Sequence, residues 1–225
     1  MTHVPTASKN TTMKFLPRLL MAIGALLLLT LFVLPMWRIT LIAPQYPDGV
    51  TMYIWINKLG GDSPGTLQNI NILNHYVGMK FIEPDSIPEL RYFPPIVLLM
   101  VALGLIAALI NKRQLYLGWA ITFIALAVLG VYDFYLWEYD YGHSLSPTAP
   151  IKIPGASFQP PLLGTKVILN FVAKSFPHTG GYLAGLGVML ALAAWWLRPK
   201  SYRHETTTST GHNGTAVSKQ LRTEA

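Results

Sequence analysis

Hydrophobic and polar positions divide this chain into four long apolar runs separated by mixed segments. The runs are delimited by charge: 19–37 lies between Arg18 and Arg38, 92–110 between Arg91 and the pair Lys112 and Arg113, 115–132 ends at Asp133, and 182–197 closes on Arg198. Crossing about 30 Å of hydrocarbon at about 1.5 Å per residue takes about 20 apolar residues. Each run therefore reads as a membrane span. In lipid every backbone polar group must be paired within its own segment, so the spans are predicted to be helices. The pattern predicts an all-α membrane protein with four transmembrane helices and two ordered extracytoplasmic segments, 38–91 and 133–181, carrying short helices and irregular structure. A cytoplasmic arm (1–18), a cytoplasmic link (111–114) and a disordered cytoplasmic tail (198–225) complete the division, the tail being rich in Thr, Ser, Gly and charge without an apolar period.

The mixed segments carry their own patterns. Alternation from Arg38 to Ile42 and the β-branched, aromatic stretch Val50 to Ile56 leave strand and interfacial helix both open. Thr66 is placed to cap a helix running to about Gly78, with Pro84 and Pro88 ending regular structure beyond it. In the second segment, Pro147, Pro150, Pro154, Pro160 and Pro161 predict a rigid extended strap. The apolar positions Leu163, Val167, Ile168, Phe171 and Val172 predict a short amphipathic helix on the bilayer surface, ended by Pro177. Gly181 and Gly185 form a Gly-x-x-x-Gly pattern suited to close helix packing inside the molecule. No internal repeat is visible.

Composition and charge sharpen this picture. Of 225 residues 52% are hydrophobic and 12% charged, about half the roughly 25% charge of soluble domains. There is no cysteine, which removes disulfides, thiolate metal sites and cysteine nucleophiles. The arm, link and tail hold ten of the seventeen cations against two acids, Glu205 and Glu224. Since Lys and Arg are retained on the cytoplasmic side, both termini are expected inside and the two large segments outside, in a multi-pass protein of the inner membrane. The net charge of +7 then reflects topology and anionic lipid rather than a nucleic-acid groove. The first span is longer than a signal-peptide core and lacks a small-x-small cleavage site, so it is read as an uncleaved anchor. Asn10-Thr-Thr and Asn213-Gly-Thr match the glycosylation pattern on the cytoplasmic side and are chance matches.

Candidate chemistry concentrates in the outer segments. On the helix from Thr66, Gln68, Ile72, His75 and Met79 fall on one stripe, with Asn69, Asn71 and Asn74 around it. An imidazole and a thioether four residues apart suit a soft or borderline ion such as copper. The alternative is that His75 bonds a neighbouring loop and Met79 packs in the core. The stretch Tyr132 to His143 is the densest in polar aromatic residues and acids. If the third helix continues outward, Asp133, Trp137 and Asp140 share a face with His143 one turn beyond. Tyr132, Tyr135, Trp137 and Tyr139 are first of all interface-belt residues. Asp133, Glu138 and Asp140 are the candidate functional or pairing acids, because an ionisable group at the hydrocarbon edge requires a partner; the structural alternative pairs them with Arg38, Arg91 or Lys166. The metal candidates are His75, Met79 and His143, and His75, Met79, Asp133, Asp140 and His143 are expected to converge at the mouth of the bundle.

Five blocks resemble a known family: FVLPMWRI from Phe32, APQYPDGVTMYIWINKLGG from Ala43, LQNINILNHYVGMKFIEPDSIPEL from Leu67, DFYLWEYDYGHSLSPTAPIKIPG from Asp133 and SFQPPLLGTK from Ser157. They are similar to the small multi-span membrane proteins of clade II nitrous oxide reductase (nos) gene clusters, called NosB-like, over residues 32 to 187. The resemblance implies a neighbourhood in denitrification, namely a periplasmic copper enzyme and its maturation factors or electron supply. It supplies no catalytic residue.

Three classes of function follow as expectations. The leading one is an accessory integral membrane protein supporting assembly, copper supply or anchoring of a periplasmic copper enzyme, with the lipid bilayer as its other partner. The alternatives are a membrane redox subunit passing electrons from quinol and a small transporter component. Against the first stand the missing Cys-x-x-Cys-His motif and the lack of paired mid-membrane histidines; against the second stand span cores without charge. No hydrolase motif is present, so an enzymatic role is the weaker expectation.

Overall fold

The computed structural model describes residues 8–153, 155 and 157–198, with side chains from residue 15 onward. From residue 199 onward the tail expected to be disordered lies outside the described residues. Among the described residues four helices are long and apolar enough to cross a membrane. They are α1 (Ser8–Leu27, prolonged by a 3-10 turn over Leu28–Phe32), α3 (Glu89–Ile110), α4 (Arg113–His143) and α5 (Thr179–Leu197). Between α1 and α3 come β1 (Trp37–Ala43), β2 (Tyr46–Ile54), β3 (Leu59–Gly61) and α2 (Thr66–Val77); between α4 and α5 come β4 (Gly164–Ile168) and β5 (Phe171–Pro177).

The strands overturn the all-α expectation. All five form one antiparallel sheet of order β3-β2-β1-β5-β4, so the fold is α/β in content. The surface helix expected over 163–176 is instead the β4–β5 hairpin, turning at Leu169. The reason is pairing: β5 lies along β1 from Trp37↔Pro177 to Ile42↔Val172, which satisfies its backbone and buries alternate side chains. An apolar run this short fits either period until its partner is known. The open choice over 38–42 and 50–56 resolves in the same way, as β1 and β2 pair.

Alternation along the strands gives the sheet two faces. Ile39, Val50, Met52, Ile54 and Ala173 are buried on one. The other carries exposed Arg38 and Lys174 and a Thr40–Thr51 hydroxyl pair at 3.0 Å. Helix α2 covers the buried face through Ile70, with Tyr141 of α4 in the same cluster. At 31 residues, α4 is about 46 Å long at about 1.5 Å per residue, well beyond the roughly 30 Å that hydrocarbon requires. Its last turns, from about residue 133, exceed that length and pack Phe134, Trp137 and Tyr141 into the sheet's core. Sheet, α2, these turns and the strap form a head on the bundle.

Small residues hold the bundle together, as they do where lipid removes the hydrophobic drive between helices. α1 packs on α5 at Gly24 and Gly187, where a Cβ on either would sit 2.6 Å from the other's carbonyl oxygen. Gly185, half of the expected Gly-x-x-x-Gly pair, faces open space. Ala25, Ala107, Ala120, Ala191 and Ala194 are buried in the same cluster as Met21, Met100, Tyr116 and Trp119. The Trp119 indole donates to Met100 O at 2.7 Å. Head and bundle are joined by main chain: Met36 N to Ile54 O at 2.8 Å, His178 N to Met36 O and Gly180 N to Pro35 O at 2.9 Å.

Candidate functional site

Two concavities bring the chemically interesting side chains together, and they share Met79 as a wall. The outer one is a recess of about 200 Å³ walled by His75, Gly78, Met79, Phe81, Ser146, Thr148 and Ala149. It exists because the strap is laid against the end of α2: Ser146 N donates to Gly78 O at 2.8 Å and Ile151 N to Tyr76 O at 2.9 Å. The residues after α2 are held by two of its asparagines. Asn71 exchanges both its amide groups with the main chain of Ile82, and Asn74 Nδ2 donates to Lys80 O at 3.2 Å. The sequence stripe therefore holds in part. Gln68, Ile72 and His75 are exposed on α2, while Met79, beyond its end, turns toward the interior.

Of the three expected metal ligands, His75 and Met79 share this recess. His143 is not among its walls. The His143 ring stacks on Tyr139 at 4.0 Å between centroids, and since a carbonyl oxygen only accepts, its Nδ1–H donates to Tyr139 O at 2.9 Å. Among the described residues no group of three or more His, Asp or Glu side chains is placed to hold a metal ion. The recess thus offers one imidazole and one thioether.

The three acids have three different environments. Asp140 pairs with Lys80 at 2.6 Å and accepts from Ser144 Oγ at 2.7 Å, and these hydrogen bonds hold its carboxyl below the usual range. Its partner is thus Lys80 rather than Arg38, Arg91 or Lys166; Arg91 donates to Asp85 O and Lys166 to Gln159 O. Asp133 is half-buried and has no ion pair among the described residues. Of the expected belt aromatics, Tyr132, Tyr135 and Tyr139 are exposed, whereas Trp137 turns into the head and packs 4.2 Å from the Tyr141 ring.

Glu138 is fully buried. It lines the inner concavity, a cavity of about 70 Å³ between sheet, α2, the outer turns of α4 and Phe158 of the strap. The strap approaches α4 at Gly142, where Phe158 N donates to Gly142 O at 3.0 Å and a side chain would overlap the Gln159 main chain. Neither carboxyl oxygen of Glu138 has a hydrogen-bond partner, and burial pushes its carboxyl up to about 8. At neutral pH this is a carboxylic acid with a proton to donate. The helical stripe read from the sequence passes through Asp133, Trp137 and Asp140 and leaves Glu138 off it. What makes Glu138 distinctive is the sheet opposite, and that sheet was not legible. Met52, also a cavity wall, was not singled out for the same reason, and Asn74 was noted only as a neighbour of the His75 stripe.

Compared with known proteins, the chain matches no family model and no curated protein in sequence.

Proposed function

We propose that this chain is an accessory membrane protein that presents its head outside the membrane as a rigid docking body for a periplasmic copper enzyme or its maturation factors, with His75 and Met79 handling copper at the docking surface. The observation that carries the reading is the recess that brings an exposed imidazole and a thioether together on the head. A thioether selects soft Cu(I), and imidazole suits copper as well. Two protein donors leave room for a third from a partner, which is the chemistry of transfer rather than storage. The resemblance over residues 32 to 187 supports the same neighbourhood. So does the charge asymmetry, which directs the head outward.

The test is copper stoichiometry of the detergent-purified chain under reducing conditions, with a parallel capture of copper enzyme from the membrane fraction. Cu(I) that is bound and then lost in His75→Ala and Met79→Leu supports supply. Capture of a copper enzyme that survives both substitutions supports anchoring. A chain that binds neither ends the proposal.

A further inference from the structure

The sheet face not covered by α2 ends, toward the bundle, in a row of aromatic rings flanked by two cations. Register sets Arg38 between Tyr53 of β2 and Phe176 of β5 on that face. The Tyr53 ring meets His178 edge to face at 5.2 Å and Trp55 at 5.9 Å. Trp55 lies against Gly60, where a Cβ would come within 3.0 Å of its ring, and the Lys58 ammonium stands 4.9 Å from the Trp55 ring centroid. Arg38 and Lys58 are exposed, and among the described residues neither has an ion pair. Asp62, the acid that follows β3, accepts instead from Thr51 N and the Thr66 hydroxyl.

This row sits where the spans end. The Trp55 indole donates to Val33 O at 3.0 Å, one residue past the 3-10 turn that completes the first span, and His178 immediately precedes α5. We propose that the row binds the phosphate of an anionic membrane phospholipid, with Arg38 and Lys58 as its charged contacts and the Tyr53 and Trp55 rings beside its glycerol region. Three considerations select this occupant. Guanidinium is a planar, weakly hydrated donor suited to phosphate, and an ammonium adds a point charge. Tyrosine and tryptophan rings settle at the headgroup level of a bilayer. Headgroups already occupy the level at which the spans end, whereas a soluble acidic partner would have to displace them. The site is independent of the copper reading, since it uses neither His75 nor the outer recess and does not depend on which side the head faces.

The full chain in detergent micelles, labelled with ¹⁵N at its tryptophan indoles, provides the test. Trp55 reports the row. Trp119 lies in the bundle core, and Trp195 and Trp196, near the end of α5, report lipid at the opposite, basic end. The probes are dihexanoyl phosphatidylglycerol, dihexanoyl phosphatidylcholine and glycerol 3-phosphate. The anionic lipid is expected to shift the Trp55 indole signal saturably, at about one tenth of the concentration that the zwitterionic lipid requires, with Trp119 left in place. Glycerol 3-phosphate should leave Trp55 unmoved at the same concentration. Arg38→Gln and Lys58→Gln, both at exposed positions, should each weaken the preference about fivefold and together abolish it. Equal response of Trp55 to the two lipids in the wild-type chain overturns the proposal without any variant having to fold. So does a preference that survives in the double variant, or a Trp55 shift that glycerol 3-phosphate reproduces, which would mark a site for soluble anions instead.

Discussion

A carboxyl group buried on the outer turns of α4 ties the stability of the head to pH. Glu138 has an ordinary value of 4.5 when unfolded and about 8 when folded. Between those values the folded chain holds a proton that the unfolded chain has released, so stability falls as pH rises. The contribution is fully present below about pH 4.5 and is lost as pH passes through about 8. Thermal unfolding in detergent from about pH 5 to 9 should therefore show a declining midpoint, and Glu138→Gln should flatten the decline; an unchanged slope would refute the assignment. A second residue is conformationally strained. Leu169, at the β4–β5 turn, has φ of +56°, a region that costs an ordinary L residue about 1–2 kcal/mol. Its side chain is half exposed, so little burial is forfeited on removal. Leu169→Gly is expected to stabilise the chain by about 1 kcal/mol, read as a raised unfolding midpoint.

Contacts between elements divide into those that tolerate change and those that do not. Where α1 crosses α5, backbones meet at Gly24 and Gly187, and no side chain fits without separating the helices. Gly187→Val should cost about 3 kcal/mol or more by overpacking, whereas Gly185→Val, two residues away and facing open space, should accumulate and unfold like wild type. Comparing the two by detergent-resistant folded yield checks the packing; equal yields would mean that the crossing lies elsewhere. The Lys80–Asp140 pair, which joins the segment after α2 to α4, belongs to the tolerant class. Both side chains are about half exposed, at 50% and 49%, so Lys80→Ala should cost less than about 1 kcal/mol. Because its hydrogen bonds hold Asp140 below its ordinary value of 3.8, that small contribution is present above this pH and fades as pH falls below it, opposite in sign to Glu138. A loss well above about 1 kcal/mol would show that the pair does more than bridge the surface.

For the molecule as a whole, the connections decide which ends belong together. The strands, α2 and the strap all lie on connections between α1 and α3 or between α4 and α5, and the short link around Asn111 and Lys112 joins the other ends of α3 and α4. Arg113, beside that link, donates to Trp195 O at 3.1 Å near the end of α5. Combined with the cation bias of arm, link and tail, this predicts that the link and the head lie on opposite sides of the membrane. A cysteine introduced at Lys112 should resist a membrane-impermeant thiol reagent applied to intact cells, and one introduced at Thr148 should react. The chain has no cysteine of its own to confuse the readout. Labelling at Lys112 in intact cells would reverse the topology and move the recess and His143 to the cytoplasmic side.

What the chain determined by itself is what its local chemistry forces. The four long helices were legible because a bilayer imposes one requirement, an uninterrupted apolar length with its backbone bonds satisfied inside the segment. Helix α2 was legible because its period and its following prolines are local signals. The sheet was not, because strand pairing is a contract between distant segments: the Trp37 indole meets Ser175 Oγ across 138 positions, and nothing near Gly164 announces that β1 will be its neighbour's partner. His75 and Met79 were singled out because the expected helix set them on one stripe, although Met79 lies beyond the end of α2, whereas Lys80 as the partner of Asp140, and Gly187 rather than Gly185 as the crossing point, depended on how elements meet. Glu138 marks the boundary most clearly. A glutamate among aromatics at a membrane edge reads as an acid in need of a partner, and only the sheet, α2 and the strap, drawn from three separate parts of the chain, close around it and remove its water.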